Sequence, residues 1–194
     1  MEHWRYYILG RVLEAFGRAQ ESISAYQAAL RVKPDFHRCS NRIAYILAGL
    51  ERYAEAEPYF LAALAADPGN ASAHFNLGYT YDKRRQFEEA IASFREASRL
   101  NPKLDRAWYG LGLAYAALGK HEEAAKALNE AATLQPMNPH AWYQLGMAYH
   151  TLHNPEKMDA VVMHLLRFDP KMTRRLILDA GRSDLAHLVK DLAV

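Results

Sequence analysis

Cysteine is almost absent from this sequence of 194 residues, in which Cys39 is the only one. A single thiol cannot form a disulfide within its own chain. Low cysteine use is also typical of proteins that work in a reducing compartment. The fold is therefore expected to form without a disulfide.

Long apolar runs are missing as well. No stretch approaches the roughly 18–20 apolar residues that a membrane-spanning helix needs. The first ten residues, MEHWRYYILG, have neither the apolar core nor the small-residue cleavage site of a signal peptide. The sequence thus predicts a cytoplasmic protein with no membrane insertion.

Charge of one sign does not dominate either, because the formal net charge is only +2. Proteins that bind nucleic acid usually carry a strongly basic surface, so no nucleic-acid partner is expected. Hydrophobic residues make up 51% of the chain, which is enough for a core and argues against disorder. A folded protein without a nucleic-acid partner is the expectation.

Motifs for catalysis and for cofactor binding are also missing. The sequence contains no glycine-rich phosphate loop, nucleophile elbow or metalloprotease motif. His37 and Cys39 would diverge by about 200° on a helix, so they cannot form a nucleophile–base pair. His150 and His153 have the i, i+3 spacing of a metal pair, but His153 precedes an Asn-Pro helix start and is expected in a turn. We therefore expect no enzyme activity, no metal and no cofactor.

What the sequence does have is a strict repeat of 34 residues. Prolines recur at this spacing along the chain, at Pro34, Pro68, Pro102, Pro136 and Pro170. Other columns keep the same register, so that AWYGLGLAY at 107–115 returns as AWYQLGMAY at 141–149. Such self-similarity predicts an array of stacked structural units.

Each unit follows the pattern helix, turn, helix, proline. In the fourth unit Trp108, Leu111 and Tyr115 are separated by three and then four residues, the spacing of one helix face. A polar turn and a second amphipathic stretch follow, and proline ends the second helix because it lacks an amide hydrogen. Gly112 is predicted to meet Ala124 where the paired helices cross.

These residues resemble the tetratricopeptide repeat, whose pattern is W-x2-L-G-x2-Y followed by small, aromatic, small and proline positions. The fourth unit matches almost throughout, with Leu128 in place of the aromatic. The resemblance covers five tandem repeats within residues 1–170, at about 3–36, 37–70, 71–104, 105–138 and 139–170. It implies an all-α fold, a right-handed α-solenoid of antiparallel helix pairs.

The remaining residues, 171–194, contain no sixth repeat and are expected to form a C-terminal capping helix. Such a cap covers the apolar face of the last repeat. Ser183 is its expected N-cap, and one helical stripe contains Leu185, Leu188, Val189 and Leu192. No comparable cap precedes the first repeat. Either the natural protein is longer, or Trp4 and Tyr7 lie exposed at that end.

In the tetratricopeptide family the first helix of each pair lines the concave surface, so the resemblance implies a peptide-binding groove there. The groove residues are those on first helices outside the packing columns. They are Tyr7, Arg11, Arg38, Asn41, Arg42, Tyr45, Phe75, Asn76, Tyr79, Arg106, Tyr109 and Tyr143. Arginine and aromatic side chains are the anchors enriched at binding hot spots.

We therefore interpret the chain as a non-catalytic adaptor or scaffold that binds a peptide segment in this groove. The surplus of arginine on the groove face favours an acidic segment or a free C-terminus, together with an apolar anchor. The alternative is a structural subunit that forms a homo-oligomer, or stacks in a larger complex, through its exposed solenoid ends.

Overall fold

The computed structural model describes residues 1–190, and all of the regular structure in this range is helical. It comprises eleven α-helices and one short 3-10 helix, with no strand among the described residues. Neighbouring helices pack in consecutive pairs. The all-α prediction is therefore confirmed. None of the helices in this range is long and apolar enough to cross a bilayer.

The chain divides into two compact units, with the boundary between Asn101 and Pro102. The first unit contains α1 (Glu2–Ala15), α2 (Ala19–Val32), α3 (His37–Gly49), α4 (Tyr53–Ala66), α5 (Ala71–Lys83) and α6 (Phe87–Leu100). The second contains α7 (Asp105–Ala117), α8 (His121–Leu134), α9 (Pro139–Thr151), α10 (Pro155–Leu166), α11 (Pro170–Asp179) and the 3-10 helix (Ser183–Val189).

Within each unit the second helix of a pair also packs against the first helix of the next pair, as α2 does against α3 and α4 against α5. This stacking buries the leucine column of the first helices, and Ile43 and Leu77 are almost fully buried. Leu9 holds the same position in α1 but is 48% exposed, because no described helix precedes α1. Among the described residues, no helix covers this face of α1.

The turn inside every pair has the same backbone conformation. The middle residue of this three-residue turn is left-handed in all five cases, at Gly17, Glu51, Arg85, Gly119 and His153, with φ between 52° and 71°. The next amide then bonds back to a carbonyl five residues earlier, as Lys120 N does to Tyr115 O at 2.9 Å. This is the Schellman arrangement, which satisfies carbonyls that a helix end leaves unpaired.

The turn between pairs is organised by proline. The residue before each proline is extended, as Lys33 is with φ −139°, because the proline ring disfavours helical geometry there. The proline carbonyl then accepts a hydrogen bond from a ring nitrogen six residues later, from His74, Trp108 and Trp142 in successive repeats. These bonds fix the start of the next first helix to the turn before it.

The glycine column permits close approach of paired helices. A Cβ at Gly112 would lie 2.5 Å from Leu128 Cγ and 3.3 Å from the carbonyl oxygen of Ala124. Gly78 faces the ring of Phe94 in the same way. Gly112 therefore meets Ala124, but the larger side chain of Leu128, one turn later, lies nearer and fills much of the crossing.

The C-terminal cap is mainly α11, which begins earlier than the sequence suggested. Pro170 is its first residue, and the Asp169 carboxylate accepts a 2.8 Å bond from Met172 N. Leu176 and Ile177 are buried against the last repeat. The α-helix expected after Ser183 is instead a seven-residue 3-10 helix, and Ser183 makes no capping hydrogen bond.

The helical stripe expected in this segment is only partly buried. Val189 is buried, Leu185 and Leu188 are half-buried, and Leu192 lies outside the described residues. Gly181, with φ 64°, separates the segment from α11. A 3-10 run of seven residues is longer than usual. The face formed by Met158, Val162 and Leu165 is nevertheless fully buried, as expected for a capped repeat.

Candidate functional site

The first-helix face of the first unit, formed by α1, α3 and α5, contains nine of the twelve residues that the sequence predicts for a groove. At its centre is the carboxylate of Glu14. Arg42 forms an ion pair with it, Tyr26 donates a 2.9 Å hydrogen bond to it, and Arg11 lies 4.0 Å away. Two arginines thus share one carboxylate, which leaves this part of the face positively charged.

The remaining arginine of this face, Arg38, lies over the ring of Trp4 with its Cζ 5.5 Å from the ring centroid. Trp4 is 41% exposed, and its ring packs edge-on against Phe36. Tyr7 is half-buried between Phe36 and Tyr26. Of the two residues expected at an exposed end, Trp4 is therefore exposed and Tyr7 is largely covered.

Asn41, which precedes Arg42 in α3, has a side-chain oxygen without a hydrogen-bond donor. Its Oδ1 is buried and accepts no hydrogen bond from any described residue. A buried carbonyl oxygen without a donor costs free energy relative to water. Arg42 lies one residue later, over the ring of Tyr45, which is itself 54% exposed. An incoming N–H donor would satisfy this amide.

On α5 the predicted residues fall into two environments. Phe75 is half-buried against the ring of Phe94, at 5.8 Å between centroids. Tyr79 is 40% exposed, with Lys83 over its ring and Tyr53 at its edge. Phe75 therefore contributes to packing, whereas Tyr79 presents one ring face outward. Asn76 is half-buried on the same helix.

In the second unit the three predicted residues differ in what surrounds them. Arg106 is exposed in the first turn of α7, and Tyr109 is half-buried, with its pKa raised by burial. Tyr143 is covered by α11, since its hydroxyl donates a 2.6 Å bond to Asp179 and Arg175 lies over its ring. The repeat pattern does not predict this contact, because Pro170 occupies the position that ends a repeat.

Comparison with known proteins agrees with this geometry. The family model for the tetratricopeptide repeat matches four overlapping segments, residues 7–71, 41–104, 75–139 and 119–157, which together span most of the chain. The chain belongs to the tetratricopeptide repeat family. Membership gives it the architecture of a protein-interaction scaffold.

Solved tetratricopeptide structures share its fold at low sequence identity. YrrB, described as a tetratricopeptide protein with an unusual peptide-binding site, aligns with a TM-score of 0.81 and 22% identity over 91% of this chain and 90% of its own. MamA from Desulfovibrio magneticus RS-1 gives 0.77 and 20% over 93% and 96%. PilF of Pseudomonas aeruginosa gives 0.73 and 19% over 95% and 87%. A search of curated protein sequences returns no significant match.

The residues considered for catalysis have structural surroundings typical of repeat packing. Cys39 is buried in α3, and burial raises the pKa of its thiol to about 12, which leaves it without a reactive thiolate near neutral pH. His150 and His153 line one small pocket of about 310 Å³ with Arg182. No group of three or more metal-binding side chains occurs within residues 1–190.

Sequence reasoning missed the bonds between ring nitrogens and proline carbonyls. The signal was present, because His74, Trp108 and Trp142 are each 34 residues apart and six residues after a proline. Their polar atoms are used inside the tetratricopeptide turns. These three side chains therefore stabilise the fold and are not candidates for the binding site.

Proposed function

We propose that this tetratricopeptide protein is a non-catalytic adaptor that binds a peptide segment of another protein on the first-helix face of its first unit. The observation that carries the proposal is the pair of arginines, Arg42 and Arg11, on the carboxylate of Glu14. Asn41, which precedes Arg42 in α3, adds a buried amide oxygen that lacks a donor.

The chemistry of these arginines favours an acidic segment or a free C-terminal carboxylate. Arginine presents several donors in a fork that matches a carboxylate in two-point contact. One carboxylate between two arginines leaves donors available for a second. A peptide backbone N–H can bond to the Asn41 amide oxygen once the side chain turns outward from its buried position.

An apolar anchor on the peptide would complete the contact. Tyr45 and Tyr79 are exposed aromatic side chains on α3 and α5 of this face, at 54% and 40% exposure. Both have a cation over one ring face, Arg42 and Lys83 respectively. Such rigid amphipathic rings are common anchors at binding interfaces. Peptide binding is also named for YrrB, which shares this fold.

The test uses an array of peptides with free C-termini, each paired with its C-terminal amide. We expect acidic peptides with an apolar residue to be selected. Arg38→Ala with Arg42→Ala should then weaken their binding by about 2–5 kcal/mol if the contacts are buried. If the arginines lie at the rim, the loss should appear mainly in the association rate and its salt dependence.

The matched control is Arg52→Ala with Arg99→Ala. It removes the same charge from the N-cap of α4 and from the last turn of α6, where Arg52 is paired with Glu55 and Arg99 with Glu96. Wild-type affinity in the control and weakened affinity in the first double variant would support the proposal. Equal affinity in all three proteins, at low and at high salt, would remove the arginines from the mechanism.

A second candidate function is a structural subunit that self-associates through the end formed by α1. One stripe of this helix is apolar and exposed, with Ile8 at 59%, Leu9 at 48%, Val12 at 46% and Phe16 at 78%. Exposed apolar patches often mark interaction surfaces. Light scattering after size exclusion tests this directly. A concentration-dependent oligomer that Leu9→Glu dissociates would favour the structural role, and a monomer at micromolar concentration would exclude it.

A further inference from the structure

A groove separate from the first-helix face lies between the second helices α4 and α6, with α5 as its floor. All three helices belong to the first unit. The groove has a volume of about 550 Å³, and Leu61, Leu64, Leu77, Tyr81, Ala92 and Ser93 supply much of its lining. Leu61 is 47% exposed at its edge. We call this surface the α5 groove.

The repeat structure indicates what is missing from the α5 groove. One repeat earlier, the position of Ser93 is occupied by Tyr59 and the position of Leu61 by Gln27. There the two side chains join α2 to α4, since Gln27 Nε2 donates a 3.0 Å hydrogen bond to the Tyr59 hydroxyl. A phenol ring therefore bridges the second helices over α3, whereas serine and leucine leave the same place open over α5.

The last repeat pair of the second unit has its own ring at the corresponding surface. His164 of α10 stacks on Trp142 of α9 with 4.1 Å between ring centroids. Their counterparts in the first unit, two repeats earlier, are Glu96 and His74, and both line the α5 groove. A carboxylate there cannot replace the stacked ring. In two repeats a ring from a second helix fills this surface, whereas α4 and α6 contribute no ring to the lining of the α5 groove. This difference defines the shape of the missing group.

The charge at the α5 groove restricts the occupant further. Two carboxylates, Glu89 and Glu96, line it. Glu96 is paired with Arg99, at 2.6 Å and 2.8 Å. Within residues 1–190, Glu89 accepts a single long hydrogen bond of 3.4 Å, from Gln86, and is exposed. The rim therefore has carboxylate capacity for a cation, in contrast to the arginine-rich first-helix face.

We infer that the α5 groove is a second docking surface, which takes a tyrosine or phenylalanine side chain from a basic segment of a partner protein. The aromatic ring fills the place that Tyr59 fills one repeat earlier. A lysine or arginine next to it in the segment pairs with Glu89. The occupant thus has the opposite charge to the ligand of the first-helix face, so one molecule can hold two different segments at once.

The first probe is p-cresol, the side chain of tyrosine, titrated into the isotopically labelled protein. We expect amide shifts at Leu61, Leu77 and Ser93, and none around Arg42. The second probe is a helical peptide with one tyrosine and an arginine one turn before and after it. It should bind about tenfold more tightly than the same peptide with glutamates in place of the arginines, and salt should weaken the difference.

The decisive variant carries Ser93→Tyr together with Leu61→Gln. These substitutions place in the α5 groove the residue types that Tyr59 and Gln27 supply one repeat earlier. We expect this filled variant to keep the helical circular dichroism of the wild type and to lose both p-cresol shifts and peptide binding. Leu61→Arg serves as a second variant at an exposed position, and it should repel the basic peptide without altering the core. Arg38→Ala with Arg42→Ala should bind the peptide like the wild type, which separates this surface from the first-helix face.

Three results would overturn the inference. One is the absence of p-cresol shifts at the groove residues. Another is undiminished peptide binding by both the folded filled variant and Leu61→Arg. The third is an equal loss of peptide binding in Arg38→Ala with Arg42→Ala, which would assign the peptide to the first-helix face.

Discussion

The hydroxyl of Tyr143 in α9 donates a 2.6 Å hydrogen bond to Oδ2 of Asp179 at the end of α11. Arg175, one turn before Asp179, lies over the same ring. A surface hydrogen bond of this kind contributes about 0.5–1.5 kcal/mol to stability. It therefore helps to orient α11 but contributes little to the attachment of this helix to the last repeat. Most of the attachment comes from Leu176 and Ile177, which are buried against the last repeat.

Truncation after Asp169 should therefore do far more than loss of this one bond. It would expose the apolar surface under α11, including the Leu176 contact with Gly146, and exposed apolar patches promote association. We expect oligomers or aggregates in size exclusion with light scattering, and a lower urea midpoint. Tyr143→Phe is the control, and it should stay monomeric. A truncated chain as stable as the wild type would show that α11 is a passive appendage.

Gly112→Ala tests the close approach of α7 and α8. The new Cβ would lie 2.5 Å from Leu128 Cγ, which forces the helices or the leucine to move. We expect destabilisation by about 1–3 kcal/mol, even though alanine is the better helix former. Gly49→Ala is the matched control, since nothing lies within 4 Å of its Cβ and it should be neutral or slightly stabilising. An unchanged urea midpoint for Gly112→Ala would contradict the packing.

Backbone strain in the turns can be measured separately from packing. Gly119 has φ 71° with open space around its Cβ, so Gly119→Ala should cost about 1–2 kcal/mol through conformation alone. Glu51 holds the equivalent position with φ 59°, and Glu51→Gly should stabilise the chain for the same reason. The two urea midpoints should shift in opposite directions. A shift of both in one direction would show that the turns are not equivalent.

Cys39 should react with thiol reagents only when the fold opens. Burial raises the pKa of its thiol from 9.0 to about 12, so between these values the unfolded chain ionises and the folded chain does not. Stability linked to this group is thus present below pH 9 and decreases as pH rises towards 12. Labelling at pH 8 should be slow in water and should accelerate with urea in step with unfolding. Rapid labelling of the native protein would contradict the burial. Because Cys39 is the only cysteine, Cys39→Ser is a complete blank.

The repeat period accounts for most of what the sequence could predict. Columns of leucine, glycine and proline place each helix and turn, since every repeat meets the same packing requirement. The period could not reveal that Glu14 pairs with Arg42, because this contact joins residues 28 apart on two first helices. The period also could not reveal that Arg175 and Asp179 of α11 contact Tyr143. Asp169 and Pro170 continue the proline column, but here they begin α11, and Asp169 caps it.

The five-repeat boundaries and the groove residues stay predictions that only binding and truncation data can test. Exposure distinguishes among the groove residues more sharply than residue type does. Tyr45 and Tyr79 are open to a ligand, whereas Phe75 packs against Phe94. Tyr45 and Tyr79 share a position in the repeat, whereas Phe75 lies one turn before Tyr79 on α5 and belongs to the column of Asn41 and Tyr109. The sequence alone did not separate these two columns by exposure, because both lie on first helices outside the packing positions.

The hydrogen bonds from tryptophan ring nitrogens to proline carbonyls bear on the intrinsic fluorescence of the protein. Trp108 and Trp142 both lie in the second unit, half-buried, with their indole N–H groups bonded at 2.9 Å. The remaining tryptophan, Trp4, lies in the first unit, exposed beneath Arg38. The chain therefore carries natural fluorophores of two kinds, one accessible to a collisional quencher such as acrylamide and one shielded from it. Emission resolved by quenching can follow the melting of each half of the chain without any added dye.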